Sequence, residues 1–115
     1  MADLSNLQKR VVAFRDARDW KQFHNPKDTA VSLLLEAAEF LEHYQWKSPN
    51  EIKQHLKKNH IEISEELMDV LYWVLLISHD LKIDVQKEFE RKMTQNEKKY
   101  PVKKAKGSHK KYTEL

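Results

Sequence analysis

Glu65-Glu66-Leu67-Met68-Asp69-Val70-Leu71-Tyr72-Trp73-Val74-Leu75-Leu76-Ile77 is the stretch whose reading decides the fold. At 100° per residue its ten apolar or aromatic side chains, Leu67, Met68 and Val70 to Ile77, cover almost the whole circumference of a helix. Such a helix is expected in an interior. Asp69 stands alone among these neighbours, and Glu66, three residues earlier, shares its side of the helix. An ionised carboxylate in apolar surroundings is heavily penalised unless a cation, a hydrogen-bond network or a metal ion compensates it, or its pKa rises until it is neutral. A second half-site is therefore expected.

The preceding apolar segment, Val31-Ser-Leu-Leu-Leu-Glu36-Ala-Ala-Glu39-Phe-Leu41, supplies it with a second i, i+3 pair. Glu36 and Glu39 also fit a plain polar stripe with Thr29, Ser32 and His43, and it is the pairing with Asp69 that singles them out. Four carboxylates, Glu36, Glu39, Glu66 and Asp69, are expected to face one another from two packed helices as a cage of hard oxygen ligands. Mg²⁺, with Mn²⁺ as an option, suits such a donor set.

The surrounding chain is all-α in character. It has 115 residues, one Gly, three Pro and 34% charged residues, which fits a helix-rich single domain better than a strand-and-turn one. With no cysteine, disulfides and thiolate metal sites are excluded. The first residues lack a signal-peptide pattern and no apolar run reaches membrane-spanning length, so the expected location is cytoplasmic, without membrane contact.

Around the two acidic segments the periodicity predicts helices over Leu4 to about Arg18, Thr29 to Trp46 with Asp28 as N-cap, a short polar helix between Asn50 and Asn59, and Ile61 to Leu81. A last helix is expected after the N-cap Asp84, with Ile83, Val85, Phe89 and Met93 on its buried side and Pro101 ending it. Residues 1–101 are read as the catalytic domain and 102–115 as a basic, extended tail. Between 91 and 111 there are nine Lys or Arg against one acid. The tail reads either as a solvated extension or as a surface for nucleic acid, an anionic substrate or a partner subunit.

Trp20, Phe23 and His24 lie in the break between the first two helices. They either clamp that loop to the core or offer faces and a ring edge to a nucleobase. Lys92, Asn96 and Lys99 fall at i, i+4 and i+7 as one ridge of phosphate donors or as ordinary surface. Carboxylates around Mg²⁺ with such donors suit attack of water on phosphorus, with Glu36 as the candidate base and Glu39 beside it.

Glu36-x-x-Glu39, 26 intervening residues, then Glu66-x-x-Asp69, resembles the signature of the MazG-like all-α nucleoside triphosphate pyrophosphohydrolases. Arg18-Asp-Trp-Lys-Gln-Phe-His-Asn-Pro, Gln45-Trp46-Lys, Lys92-Met-x-x-Asn96, Lys99-Tyr100-Pro101 and Lys111-Tyr-Thr-Glu-Leu resemble its dCTP pyrophosphatase branch. The resemblance implies a four-helix bundle with a short extra helix, assembled as a dimer or a dimer of dimers. Its active sites would borrow residues across the subunit interface. It also implies that Glu36, Glu39, Glu66 and Asp69 bind Mg²⁺, that Trp20 and Trp46 line a base pocket with His24 and Trp73 beside the substrate, and that Lys92, Asn96, Lys99 and Tyr100 bind the triphosphate. Trp73 stands where some relatives carry Tyr. The implied reaction is hydrolysis of a dCTP-like (d)NTP between the α- and β-phosphates, in the service of nucleotide-pool sanitation.

Two other classes are weighed against this one. A carboxylate-bridged di-iron bundle would want Glu-x-x-His pairs, and here the i+3 partners are Glu39 and Asp69. A non-catalytic helical module binding nucleic acid through the basic tail is the alternative, although nucleic acid is not among the expected partners of the enzyme reading.

Overall fold

The computed structural model describes residues 3–115. Among them are six α-helices and no strand: α1 (Leu4–Ala17), α2 (Pro26–Glu42), α3 (Pro49–Lys58), α4 (His60–Asp80), α5 (Val85–Lys99) and α6 (Val102–Ala105), with 3₁₀ turns at Trp20–Phe23 and Tyr112–Glu114. The N-terminal reading of the sequence rests partly on Met1 and Ala2, which lie outside the described residues.

Each long helix starts where a side chain satisfies a free backbone N–H. Asp3 accepts from the Asn6 amide at 2.9 Å to begin α1. Asn25, rather than the expected Asp28, caps α2 by accepting from Asp28 N at 2.9 Å. Pro26 then occupies the first turn, where its missing N–H costs nothing, so α2 begins three residues earlier than the periodicity suggested. It also ends at Glu42, because residues 43–46 tighten into turns and Trp46 takes a left-handed backbone with φ of 66°. Ser48 and Glu51 form a reciprocal capping box at the start of α3, and Asp84 caps α5 as expected.

The chain forms two compact units, one ending at Lys82 and one comprising Ile83–Leu115. In the first, α1 and α2 pack on α4, and α3 touches α4 more lightly. The apolar centre is narrow: Ile63, Leu75 and Leu76 are buried. Beside it sits Arg15, 0% exposed, whose Nη1 donates to both Asp80 oxygens at 2.8 and 2.6 Å and whose Nε donates to Asp16 at 3.1 Å. Gln8 Nε2 donates to the Leu75 carbonyl at 2.9 Å. These bonds tie α1 to the second half of α4.

The expectation that α4 is interior on every side is not met within one chain. Leu67, Met68 and Val74 are exposed, as are Leu34, Leu35 and Leu41 on α2. Two helices cover two faces of a third and leave the rest open.

The second unit is the helix α5 followed by a folded C-terminal segment. Ile83, Phe89 and Met93, expected on a buried side, are exposed; Phe89 is 64% exposed. The segment after Pro101 is not extended throughout, because α6 adds a turn and Tyr112 returns edge-on to Tyr100, ring centroids 5.9 Å apart. A Lys-rich sequence without apolar period still folds back here, since Gly107 supplies a left-handed turn with φ of 79° and two tyrosines supply the contact.

Candidate active site

Glu36 and Glu39 leave α2 one turn apart, and Glu66 faces them from α4. Each offers a carboxylate oxygen, and the three oxygens lie within 4.8 Å of one another. One oxygen of Glu36 and one of Glu66, both Oε2, are buried without any hydrogen-bond partner. Burial first, then a proton shared with Glu39 and the charges of Glu39, Asp69 and Glu66, push the Glu36 carboxyl up to about 7. Glu66 is raised as well, chiefly by a shared proton with Glu39 and then by burial and the charges of Glu39 and Asp69, with His43 acting in the opposite direction.

A cluster of acids that repel one another this strongly, with buried oxygens left unbonded, fits a hard divalent cation. The donors are all oxygen, the set Mg²⁺ and Mn²⁺ favour. No His belongs to the trio, which sets it apart from a Glu-x-x-His di-iron site.

Asp69, expected as the fourth carboxylate of the cage, is not part of the tight trio. It is exposed, its charge reaches Glu36 and Glu66, and it stands on the wall of an apolar cleft of ≈ 390 Å³ between α1 and α4. The helix around it is greasy, but its own side opens to solvent. Four converging carboxylates are thus three in contact and one at the margin.

An aromatic row runs from this margin. The His24 ring meets Trp73 edge-on at 5.4 Å, Trp73 meets Tyr72 at 5.2 Å, Tyr72 meets Phe14 at 6.1 Å, and Phe14 meets Trp20 at 5.7 Å. The Arg18 guanidinium lies 3.7 Å over Phe14 and 5.9 Å from Trp20. His24, Trp73 and Trp20, three residues singled out in the sequence, are therefore linked by two that were not, Phe14 and Tyr72. The sequence signal for Phe14 is its i, i+4 partner Arg18, whose guanidinium lies over the ring.

Trp46 joins none of these ring contacts. It is 92% exposed, so one chain does not bring it to Trp20. Lys92, Asn96, Lys99 and Tyr100 belong to the second unit, where Lys99 Nζ sits 4.8 Å above the Tyr112 ring and Tyr100 N bonds the Asn96 carbonyl at 2.8 Å.

A family model described as MazG-like matches residues 31–115, which include Glu36, Glu39, Glu66 and Asp69. The chain belongs to the MazG-like family. With that membership the expectation of a nucleotide pyrophosphohydrolase holds. The MazG-like chain is 33% identical to dCTP pyrophosphatase 1 of Mus musculus over 114 residues, covering 97% of this chain and 67% of the relative. It is 32% identical to dCTP pyrophosphatase 1 of Homo sapiens with the same coverage. A crystal structure of a pyrophosphatase from Archaeoglobus fulgidus superposes on this MazG-like fold with a TM-score of 0.80 at 37% identity, over 88% of this chain and 94% of that one. No helix among the described residues is long and apolar enough to cross a membrane.

Proposed function

We propose that this protein hydrolyses a nucleoside triphosphate of the dCTP type between its α- and β-phosphates, releasing a nucleoside monophosphate and pyrophosphate. The observation that carries the reading is the meeting of Glu36, Glu39 and Glu66, with Trp73, where an aromatic row begins, on the same face of α4 two turns past Glu66. Acids suited to a cation for phosphate thus share a helix face with rings suited to stacking on a base.

Glu36, Glu39 and Glu66, with Asp69 at the rim, would hold Mg²⁺ or Mn²⁺, which when bound neutralises phosphate oxygens and stabilises the charge that develops on them. Glu36 takes the proton of the attacking water. Its buried Oε2 is free of other bonds and so open to a proton from water, and a carboxylate serves as a general base at neutral pH. Water oxygen forms the new bond to the α-phosphorus, and the bond from that phosphorus to the bridging oxygen breaks, so pyrophosphate carries off the electron pair.

Trp73, Trp20 and His24, bridged by Tyr72 and Phe14, receive the nucleoside. The Arg18 guanidinium above Phe14 adds a donor able to meet a base edge. Lys92, Asn96, Lys99 and Tyr100 contribute ammonium, amide and phenol donors of the kind phosphate oxygens accept. The exposed apolar side chains of α2 are read as the contact of a homodimer or homotetramer.

The test is release of pyrophosphate from a panel of deoxynucleoside and nucleoside triphosphates with Mg²⁺ or Mn²⁺, run beside Glu39→Ala and Asp69→Ala. Monophosphate and pyrophosphate as products, lost in both variants and fastest with dCTP-like substrates, support the reading. No turnover of any nucleotide by a folded protein removes it.

A further inference from the structure

We infer that His43 is a phosphate-binding residue of this site, presenting a neutral Nε2–H to the pyrophosphate end of the triphosphate, and that His55 and Asn59 are positioning residues that fix its tautomer. The inference rests on the pyrophosphohydrolase reading above and assigns the direction in which the substrate lies.

Three observations carry it. His43 ends α2 but keeps helical backbone angles, φ −60° and ψ −24°, so its side chain leaves from the face that bears Glu36 and Glu39. Four residues advance a helix by about 6 Å, and His43 therefore continues the carboxylate row by one turn beyond Glu39.

A chain of hydrogen bonds fixes its protons. Asn59 Nδ2 lies 2.9 Å from His55 Nδ1, and an amide nitrogen can only donate, so His55 accepts there and carries its proton on Nε2. His55 Nε2 lies 2.9 Å from His43 Nδ1 and donates to it. The remaining proton of His43 is thereby placed on Nε2. Burial, then the charges of Lys47 and His43, hold the His55 pKa below its usual value, with Glu62 opposing, which favours the neutral His55 ring that the Asn59 bond requires.

The third observation is polarity. His24, just before α2, touches Trp73 in the second half of α4, whereas His43 at the end of α2 is linked through His55 to Asn59, just before α4 begins. The two acid-bearing helices are antiparallel, with the aromatic row at one end of the carboxylates and His43 at the other. A nucleotide whose base lies on the Trp73 end places its phosphates over Glu36, Glu39 and Glu66 and its terminal phosphates at His43. There a neutral N–H is the useful group. It gives a charge-assisted hydrogen bond to a phosphate oxygen without adding a cation that would compete for the carboxylates.

The test combines ¹⁵N NMR of the histidine rings with product inhibition by magnesium pyrophosphate. In the wild type, His43 should show a protonated Nε2 and an unprotonated Nδ1, with coupling across the N–H···N bond to His55; a proton on His43 Nδ1 overturns the assignment. The inhibition constant for pyrophosphate should rise about tenfold in His43→Leu, the worth of one charge-assisted hydrogen bond, while that for the nucleoside monophosphate stays put. His43→Gln, whose amide nitrogen reaches roughly the place of Nε2, should restore it. Wild-type turnover with unchanged pyrophosphate inhibition in His43→Leu overturns this inference alone. Absence of turnover in the wild type removes the functional reading and the inference with it.

Discussion

Glu36 holds the clearest residue-scale consequence. Its carboxyl rises from 4.5 when unfolded to about 7 when folded, so between those values the folded protein retains a proton that the unfolded chain releases. Stability from this group is fully present below pH 4.5 and is lost as pH climbs through 7. The metal-free protein should therefore show a thermal midpoint that falls between about pH 5 and 8, followed by circular dichroism. Glu36→Gln should flatten that fall, and saturating Mg²⁺ or Mn²⁺ should cancel it by giving the ionised carboxylates a counter-charge. A wild-type midpoint insensitive to pH over this range would contradict the account. Trp46 tests the residue scale differently: if an almost fully exposed ring in a left-handed conformation is kept for contact with substrate, Trp46→Ala should raise KM several-fold and leave the midpoint within about 1 °C, since a solvated side chain contributes little to stability.

At the scale of elements, the helices are set by caps and by one ion pair more than by a large core. Arg15 is inaccessible and Asp80 only partly so. Replacing Arg15 with Ala leaves a carboxylate without its partner and α1 without its anchor, and should cost about 3 kcal/mol in urea unfolding, the lower end for a broken buried pair. Ser48→Ala should cost about 1 kcal/mol, expressed as fraying of α3 in hydrogen exchange before global unfolding, because that helix has few other ties. Apolar spacing made these helices legible. Their ends were less so: choosing between Asn25 and Asp28 as the cap of α2 depends on which side chain folds back onto which amide, and both residue types are good caps.

On the scale of the whole molecule, the exposed leucines of α2, Leu34 at 68%, Leu35 at 58% and Leu41 at 63%, are too many for a helix that meets only water. Sedimentation of the wild type should show an assembly larger than the 13.8 kDa chain, and Leu35→Glu with Leu41→Glu should shift it to monomer and lower its stability. A monomeric wild type would refute this. The sequence by itself determined the helical class, the two i, i+3 acid pairs and their family signature, because helical period and carboxylate spacing are local properties written along one chain. Only the tertiary structure decided that Glu36, Glu39 and Glu66 meet while Asp69 stands at the rim. It also linked Trp20 to His24 through Phe14, Tyr72 and Trp73, and set His43 against His55 across twelve residues. Those relations depend on the rotation and direction of one helix against another, which the packing of side chains fixes and no single helix's period contains.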